Sequence, residues 1–172
     1  MTTATAPPAP PESATNAELI RWAFSILNTH DVTPLRPMWT ATTVERFPTE
    51  TCVGTDSIAA YFEAAFAALP DFHIEIQAIT ESGDDVMVRW HITGTHTGAA
   101  WQGVAPSGKR VALDGIDHFV LRDGKVVSNF VVFDQMQFAR AVGLMPPDGS
   151  PAERAMKAAF AAKTRLRGRL GR

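Results

Sequence analysis

The stretches VMVRWHITGTHTG (86–98), RVALDGIDHFVL (110–121) and VVSNFVVFD (126–134) decide the fold of this chain. Apolar and polar residues alternate along much of the first two, and valine and phenylalanine dominate the third; both patterns are typical of β-strands. Turn-forming residues separate them, including a hairpin turn at Asp123-Gly124. The three stretches therefore predict a run of antiparallel strands.

The half of the chain before these strands has a helical period. Apolar residues recur at helical spacing over 19–27 and again over 58–69, with a short helix predicted at 33–38 between them. A strand is predicted before Pro48, and FHIEIQAI (72–79) alternates like the later strands. Helices followed by antiparallel strands favour an α+β fold, in which a curved sheet wraps around the helices. The open mouth of such a cone is where a small-molecule pocket normally lies.

Composition divides the 172 residues into three parts. We predict a disordered Pro/Ala-rich arm at 1–14, one folded domain at 15–146 and a basic helical tail at 147–172. From position 150 onward the chain has seven basic residues and one acid, although its net charge is −2. Such a tail is expected to be solvated, to dock on its own or a neighbouring subunit, or to bind an anionic partner.

Several classes of protein are disfavoured by what the chain lacks. Cys52 is the single cysteine, which rules out an internal disulfide, favours a reducing compartment and leads us to predict a cytoplasmic protein. No apolar run approaches the ~20 residues of a membrane helix, and residues 1–15 do not read as a secretory signal. Metal-ligand spacings, a phosphate-binding glycine loop and a nucleophile motif are also absent from the sequence. We therefore expect acid/base chemistry with no metal and no cofactor.

Asp134 is the first candidate for that chemistry. It ends the last predicted strand and shares a face with Phe130 and Val132, which would desolvate its carboxyl group and raise its pKa toward a useful acid/base range. Aspartate is also a preferred helix N-cap, so the alternative is that Asp134 caps the helix predicted to begin at Gln135.

Other ionisable residues lie within the predicted strands. His118 is either a proton-sharing partner of a carboxylate or a core histidine bonded to backbone. Arg89 and His91 lie two residues apart, so they share a face, which we expect to be the pocket face. The alternative is that Arg89 pairs with an acid for structure. Asp117 lies on the opposite face from His118 and is expected to be exposed or in a salt bridge.

Five segments, in this order, resemble the SnoaL-like polyketide cyclase branch of the NTF2-like superfamily. They are GTDSIAAYFEAAFAALPDF at 54–72, RWHITGTHTG at 89–98, VAPSGKRV at 104–111, DGIDHFVLRDGKVV at 114–127 and VVFDQMQFARAVG at 131–143. The resemblance spans roughly residues 17–145. It implies a cone-shaped α+β barrel with a curved mixed sheet around N-terminal helices, often forming a homodimer through the outer face of the sheet. The C-terminal helix predicted here is an addition to it.

The resemblance also implies residue roles. In cyclases of this branch an aspartate on the last strand moves a proton on the substrate, which fits Asp134. Limonene epoxide hydrolases, a sister branch, carry an Arg-x-Asp pair on the strand where this chain has Arg89 and His91. The histidine argues against a simple transfer of the hydrolase mechanism.

We predict a cofactor-independent enzyme that acts on a hydrophobic carbonyl or polyketide-like molecule by aldol cyclisation, isomerisation or dehydration. Asp134 is expected to be the general acid/base, with His118 or His91 assisting and Arg89 stabilising enolate charge. The residues expected to bind substrate are Trp39, Arg46, Phe47, Tyr61, Trp101 and Phe130. A non-catalytic binding or scaffold protein and an epoxide hydrolase stay open as alternatives. The expected partners are a small hydrophobic substrate and a second copy of the chain, with no nucleic acid.

Overall fold

The computed structural model describes residue 9 and residues 14–170, with side chains described up to residue 165 in the last helix. Its helices are α1 (Asn16–Leu27), a 3-10 helix (Thr33–Met38), α2 (Thr55–Ala68), α3 (Gln135–Ala141) and α4 (Pro151–Leu170). Its strands are β1 (Val44–Arg46), β2 (Thr51–Val53), β3 (His73–Ser82), β4 (Asp85–Thr95), β5 (Arg110–Arg122) and β6 (Lys125–Phe133). The predicted disordered arm at 1–14 lies outside the described residues, apart from positions 9 and 14.

Helix α1 begins at a capping box. The Thr15 hydroxyl accepts from the backbone N–H of Glu18, while the Glu18 carboxylate accepts from the backbone N–H of Thr15. One side of the helix is apolar and buried, including Ile20, Phe24 and Leu27. This side packs against β3 and β4, so α1 covers the concave face of the sheet.

The six strands form one mixed sheet in the order β2-β1-β6-β5-β4-β3. Strand β1 pairs in parallel with β6, and the other neighbours are antiparallel. The parallel pairing brings Glu45 opposite Asn129, although these residues lie far apart in the chain. The α+β class and the curved mixed sheet predicted from the sequence are confirmed, whereas the short strand β2 was not predicted.

The two faces of the sheet differ sharply in burial. The concave face carries the core, to which β4 and β5 contribute Val86, Val88, Trp90, Val111, Leu113, Phe119 and Leu121. The residues between them point outward, among them Met87 and Ile116, each 43% exposed. Both faces of β5 and β6 therefore carry apolar side chains, so apolar character alone does not identify the inner face.

Trp90 lies flat on the sheet because its cross-strand partner is a glycine. Gly115 pairs with Trp90 in register, and a Cβ atom at Gly115 would lie 2.2 Å from the indole ring. The missing side chain lets the ring cross β5, so that its Nε1 donates to the Asp117 carboxylate oxygen Oδ1 at 2.9 Å. Gly115 therefore positions a polar contact two residues further along its own strand.

The loop after β4 is held against the end of α2. The backbone N–H groups of Gly98 and Ala99 donate to the carbonyl oxygens of Ala68 and Ala67, which satisfies carbonyl groups that a helix end leaves free. Gly98 allows this approach, because a Cβ atom there would lie 1.9 Å from the Ala67 oxygen. These contacts place the following residues, including Trp101, at the mouth of the cone.

Helix α4 contacts the body of the protein through its first turn. The Glu153 side chain is buried and accepts from Arg140 at 2.9 Å, from Lys157 at 3.0 Å and from the Gly149 backbone N–H at 2.8 Å. The other described side chains of the helix, up to residue 165, are exposed. Of the alternatives left open for the tail, docking on its own subunit is seen at Glu153, and the exposed side chains that follow agree with a solvated helix.

Within the described part of the chain, no helix has both the length and the apolar content needed to cross a membrane. Cys52 is buried in β2 as a free thiol. The predicted cytoplasmic location stays a prediction.

Replacing Gly115 with alanine is expected to lower the free energy of unfolding by about 2 kcal/mol, because the new methyl group overlaps the Trp90 ring in a packed core. Urea unfolding followed by tryptophan fluorescence measures the change. Ala112→Ser, on the outer face of the same strand, is the control and should shift stability by less than about 0.5 kcal/mol. Equal stability of both variants would contradict this account of Gly115.

Candidate active site

The cone encloses a cavity of about 80 Å³ between the helices and the concave face of the sheet. Its walls are almost entirely apolar, with aromatic rings from the 3-10 helix region, α1, α2 and the sheet. Two carboxyl groups, Glu45 and Asp117, are the charged side chains among the described residues that line it. Polar groups that converge in an apolar pocket are the usual mark of a small-molecule site.

Glu45 is buried on β1, with 2% of its surface exposed. Its Oε1 accepts from the Trp39 indole Nε1 at 2.9 Å, and its Oε2 accepts from the Asn129 amide Nδ2 at 3.3 Å. Loss of hydration on burial is the largest effect on this group, and the nearby Asp117 charge adds to it. Together they raise the pKa of Glu45 to about 8, despite both hydrogen bonds.

Asp117 lies on β5, two strands away from Glu45, and is 7% exposed. Trp90 donates to its Oδ1, and Asn129 Nδ2 lies 3.5 Å from its Oδ2. Burial raises the pKa of Asp117 to about 7, against the lowering effect of these two donors. The prediction that Asp117 is exposed or in a salt bridge is wrong, because its side chain points into the cone.

Asn129 lies on β6 between the two acids and joins them. The Asn129 side-chain Nδ2 faces both Glu45 Oε2 and Asp117 Oδ2. Asn129 is 2% exposed. Its Oδ1 is buried with no hydrogen-bond partner among the described residues. The three side chains thus form a carboxyl–amide–carboxyl cluster, which supplies two proton-carrying groups within one dry cavity.

The cluster can transfer protons near neutral pH. Burial raises both pKa values toward this range, to about 7 for Asp117 and about 8 for Glu45, so one carboxyl group of the pair can carry a proton while the other is ionised. Two neighbouring carboxyl groups that share protons in this way can act together as an acid and a base.

Asp134, in contrast, is exposed and caps helix α3. Its Oδ1 accepts from the backbone N–H groups of Met136 at 2.8 Å and Gln137 at 3.2 Å. The shared face with Phe130 and Val132 was predicted correctly, but this is the outer face, where those residues are 53% and 50% exposed. The expectation that apolar neighbours desolvate Asp134 is therefore wrong.

Arg89, His91 and His118 also lie on the outer face of the sheet. Arg89 is exposed, and the two histidines pair with acids: His91 Nδ1 with Asp114 Oδ1 at 2.9 Å and His118 Nε2 with Asp85 Oδ1 at 2.6 Å. The expectation that these three side chains face the pocket is wrong, because the residues that alternate with them fill the core.

The predicted substrate-binding residues divide into two groups. Trp39, Phe47, Tyr61 and Trp101 line the cavity. Arg46 and Phe130 do not, because they pair across β1 and β6 on the exposed face.

Glu45 and Asn129 were not predicted as site residues. Strand β1 has only three residues, too few to establish a period. Strand β6 is irregular, with a register shift where Leu121 pairs with Val126 while Val120 pairs with Ser128. A signal for Asp117 was present, since it alternates with Leu113, Phe119 and Leu121 on the most apolar face of β5.

No group of three or more potential metal-binding side chains lies together among residues 9 and 14–170.

The fold and the pocket define a class of protein: an α+β cone with a small-molecule cavity inside the curved sheet. The profile of the SnoaL-like polyketide cyclase family matches residues 17–142, and the chain belongs to this family.

Several solved structures share the fold of this chain. AclR from Streptomyces galilaeus, a proposed hydroxylase, superposes with a TM-score of 0.67 at 24% identity, over 87% of this chain and 94% of its own. IdmH from Streptomyces antibioticus, assigned as a polyketide cyclase, gives 0.65 at 21% identity, over 76% and 99%. A SnoaL-like polyketide cyclase assigned in Jannaschia sp. CCS1 gives 0.67 at 21% identity, over 79% and 100%. Comparison with curated protein sequences gives no match.

The two raised pKa values predict a loss of stability with rising pH. Between about pH 4 and pH 8 the folded protein holds protons on Glu45 and Asp117 that the unfolded chain releases, so the free energy of unfolding falls as the pH rises across this window. Urea unfolding at pH 5 and pH 9 measures the fall. The double variant Glu45→Gln/Asp117→Asn should show much less of it, whereas the exposed Glu63→Gln should behave like the wild type.

A second measurement does not depend on the folding of a variant. Carboxyl ¹³C NMR of the wild-type protein should show two carboxyl groups that titrate above pH 6. Titration of every carboxyl group below pH 5 would contradict the account of the cluster.

Proposed function

We propose that the protein catalyses acid/base chemistry on a hydrophobic carbonyl compound, without a cofactor, and that Asp117 and Glu45 are its catalytic residues. The observation that carries the proposal is that two buried carboxyl groups with raised pKa values line one apolar cavity. Membership of the SnoaL-like polyketide cyclase family agrees with a small-molecule substrate of this kind.

The chemistry begins with enolisation. The Asp117 carboxylate removes a proton from the carbon next to the substrate carbonyl, and the electron pair of that C–H bond forms the carbon–carbon double bond. The protonated Glu45 gives its proton to the carbonyl oxygen, so the product is a neutral enol. No arginine is needed to stabilise an enolate, because the acid neutralises the oxygen as charge develops.

The enol then determines the outcome. In each outcome the ionised Glu45 takes back the enol O–H proton as the carbonyl group re-forms, and Asp117 gives up the proton that it removed. The enol carbon attacks a second carbonyl group of the same molecule, whose oxygen takes the Asp117 proton, and a ring closes. Alternatively another carbon takes that proton and the substrate is isomerised, or a β-hydroxyl group takes it and leaves as water. All three outcomes use the same pair of carboxyl groups, and which one occurs depends on the substrate held in the cone.

The alternatives are less well supported. A scaffold protein does not need two desolvated acids in its cavity, since burying them without a use costs stability. An epoxide hydrolase mechanism built on Arg89 and His91 requires both in the pocket, and both lie on the outer face.

The enolisation step is testable without knowing the natural substrate. The protein is expected to accelerate exchange of the acetyl α-hydrogens of 2-acetylnaphthalene for deuterium in buffered D₂O, measured by ¹H NMR. Asp117→Asn and Glu45→Gln should each lower the rate by about 10²-fold or more, the usual contribution of a positioned acid or base. Asp134→Asn is the matched control on the outer face and should keep most of the rate.

A large loss of exchange rate in Asp134→Asn, with the full rate in Asp117→Asn, would overturn this assignment. It would indicate that Asp134 is the catalytic acid/base instead. Circular dichroism of each variant checks that it is folded.

We also infer that the protein is a homodimer through the outer face of the sheet. On the outer face of β4, β5 and β6, four apolar side chains are between 43% and 53% exposed: Met87, Ile116, Phe130 and Val132. Ile116 pairs with Val132 in register, so they form one apolar surface. A contiguous exposed apolar surface usually marks a protein contact.

The double variant Ile116→Asp/Phe130→Asp is expected to be monomeric. Each copy would then place two negative charges in the interface, where they would repel those of the partner. Light scattering after size-exclusion chromatography measures the molar mass. Phe160→Asp, at an equally exposed aromatic residue on α4, should leave the dimer intact. A monomeric wild-type protein at micromolar concentration would contradict the inference.

A further inference from the structure

A second space lies directly outside the cavity. It is an open cleft of about 540 Å³ between the start of α2, the β1–β2 turn and the loop after β4. Its polar walls include Thr49, Glu50, Ser57 and Gln102. Nothing in the proposed enolisation uses this cleft.

Two aromatic side chains, Tyr61 and Trp101, belong to both spaces. The Tyr61 ring stacks on Phe47 with centroids 3.6 Å apart, and the Trp101 ring lies edge-on against Phe138 at 5.2 Å. These two rings lie between the apolar cavity and the more polar cleft. A molecule held in the cleft therefore touches the wall of the cavity.

The size of the cavity requires a second compartment for any sizeable substrate. An engineered protein cavity of ~150 Å³ accommodates benzene, whereas this cavity measures about 80 Å³. The cavity therefore has room for a small carbonyl-bearing group only. Because Tyr61 and Trp101 line both spaces, the cleft is the neighbouring space for the rest of a larger molecule.

The charges along this route select against anions. Among the described residues that line the two spaces, the charged ones are Glu45, Asp117 and Glu50, and none is basic. Burial, with the Glu50 charge adding to it, raises the pKa of the Tyr61 hydroxyl, so the wall itself is neutral. A carboxylate or phosphate on the substrate would meet like charge and find no cation to pair with.

The polar groups of the cleft fit a neutral substituent. Thr49 and Ser57 offer hydroxyl groups that donate and accept. The Gln102 amide Nε2 is buried and has no hydrogen-bond partner among the described residues. Such an unpaired donor is costly. Because Gln102 also lines the cleft, a rotation of its amide toward the cleft would let an acceptor oxygen on a ligand satisfy it.

We propose that the cavity and the cleft form one two-part substrate site, which takes an uncharged carbonyl compound with a hydroxyl-bearing or amide-bearing arm and rejects carboxylates. The carbonyl end enters the cavity beside Asp117 and Glu45, and the polar arm lies in the cleft beside Glu50 and Gln102. The placing of the carbonyl end rests on the proposed function, whereas the selection for an uncharged arm rests on the cleft alone.

A pair of matched probes tests this selection. They are 6-acetyl-2-naphthamide and 6-acetyl-2-naphthoate, whose planar arms have nearly the same shape, one being neutral and the other negatively charged. Binding to the full-length protein at pH 7.5 is followed by quenching of tryptophan fluorescence, since Trp39, Trp90 and Trp101 line the cavity. The neutral probe is expected to bind at least about tenfold more tightly than the carboxylate.

Two variants assign the selection to the cleft. Glu50→Gln removes the like charge and should tighten carboxylate binding several-fold while leaving the neutral probe unchanged. Gln102→Ala should weaken the neutral probe several-fold. Glu63→Gln, an exposed acid on α2 outside the cleft, is the matched control and should change neither affinity.

Equal binding of the two probes, tighter binding of the carboxylate, binding of neither, or an unchanged ratio in Glu50→Gln would each overturn the proposal. The two-part site and the proposed function can fail independently. The probe affinities test the cleft, whereas the loss of α-hydrogen exchange in Asp117→Asn tests the carboxyl cluster.

Discussion

The cost of burying two carboxyl groups is the constraint on which the interior of this protein depends. Glu45 and Asp117 lie in an apolar cone where an isolated charge is strongly disfavoured. Two indole N–H groups and one amide orient them without neutralising them. Because these donors are neutral, burial dominates and both acids hold their protons at unusually high pH. A nearby arginine would have had the opposite effect on their pKa values.

The walls of the cone follow from this constraint. Gly115 leaves room for the Trp90 ring, which reaches Asp117, and Trp39 plays the same part for Glu45. The aromatic rings therefore have two tasks, since they exclude water and also supply the donors that fix each carboxyl group. Small changes in the packing of these rings would change the pKa values of the two carboxyl groups, because desolvation and hydrogen bonding both depend on where the rings lie.

Local patterns in the sequence were enough to predict the α+β class, the main helices and strands and four lining residues, because alternation and helical period act over short range. They did not show which face of β5 and β6 is the inner one. Phe130 and Val132 look like core residues, yet they lie outside. Asp117 looks like a surface residue, yet it lies inside. The packing of helices on the sheet distinguishes the two faces, and such long-range contacts are not encoded in the period of any one strand.

The parallel pairing of β1 with β6 has a consequence for how the protein folds. Glu45 and Asn129 are separated by 84 positions in the chain, and contacts of such high sequence separation carry a large loop-closure cost and form slowly. The hairpins β3–β4 and β5–β6 can form early, since their partners are close in sequence. The carboxyl cluster is complete only when the two ends of the domain meet, so a chain that stalls before this step has native-like hairpins but no paired acids.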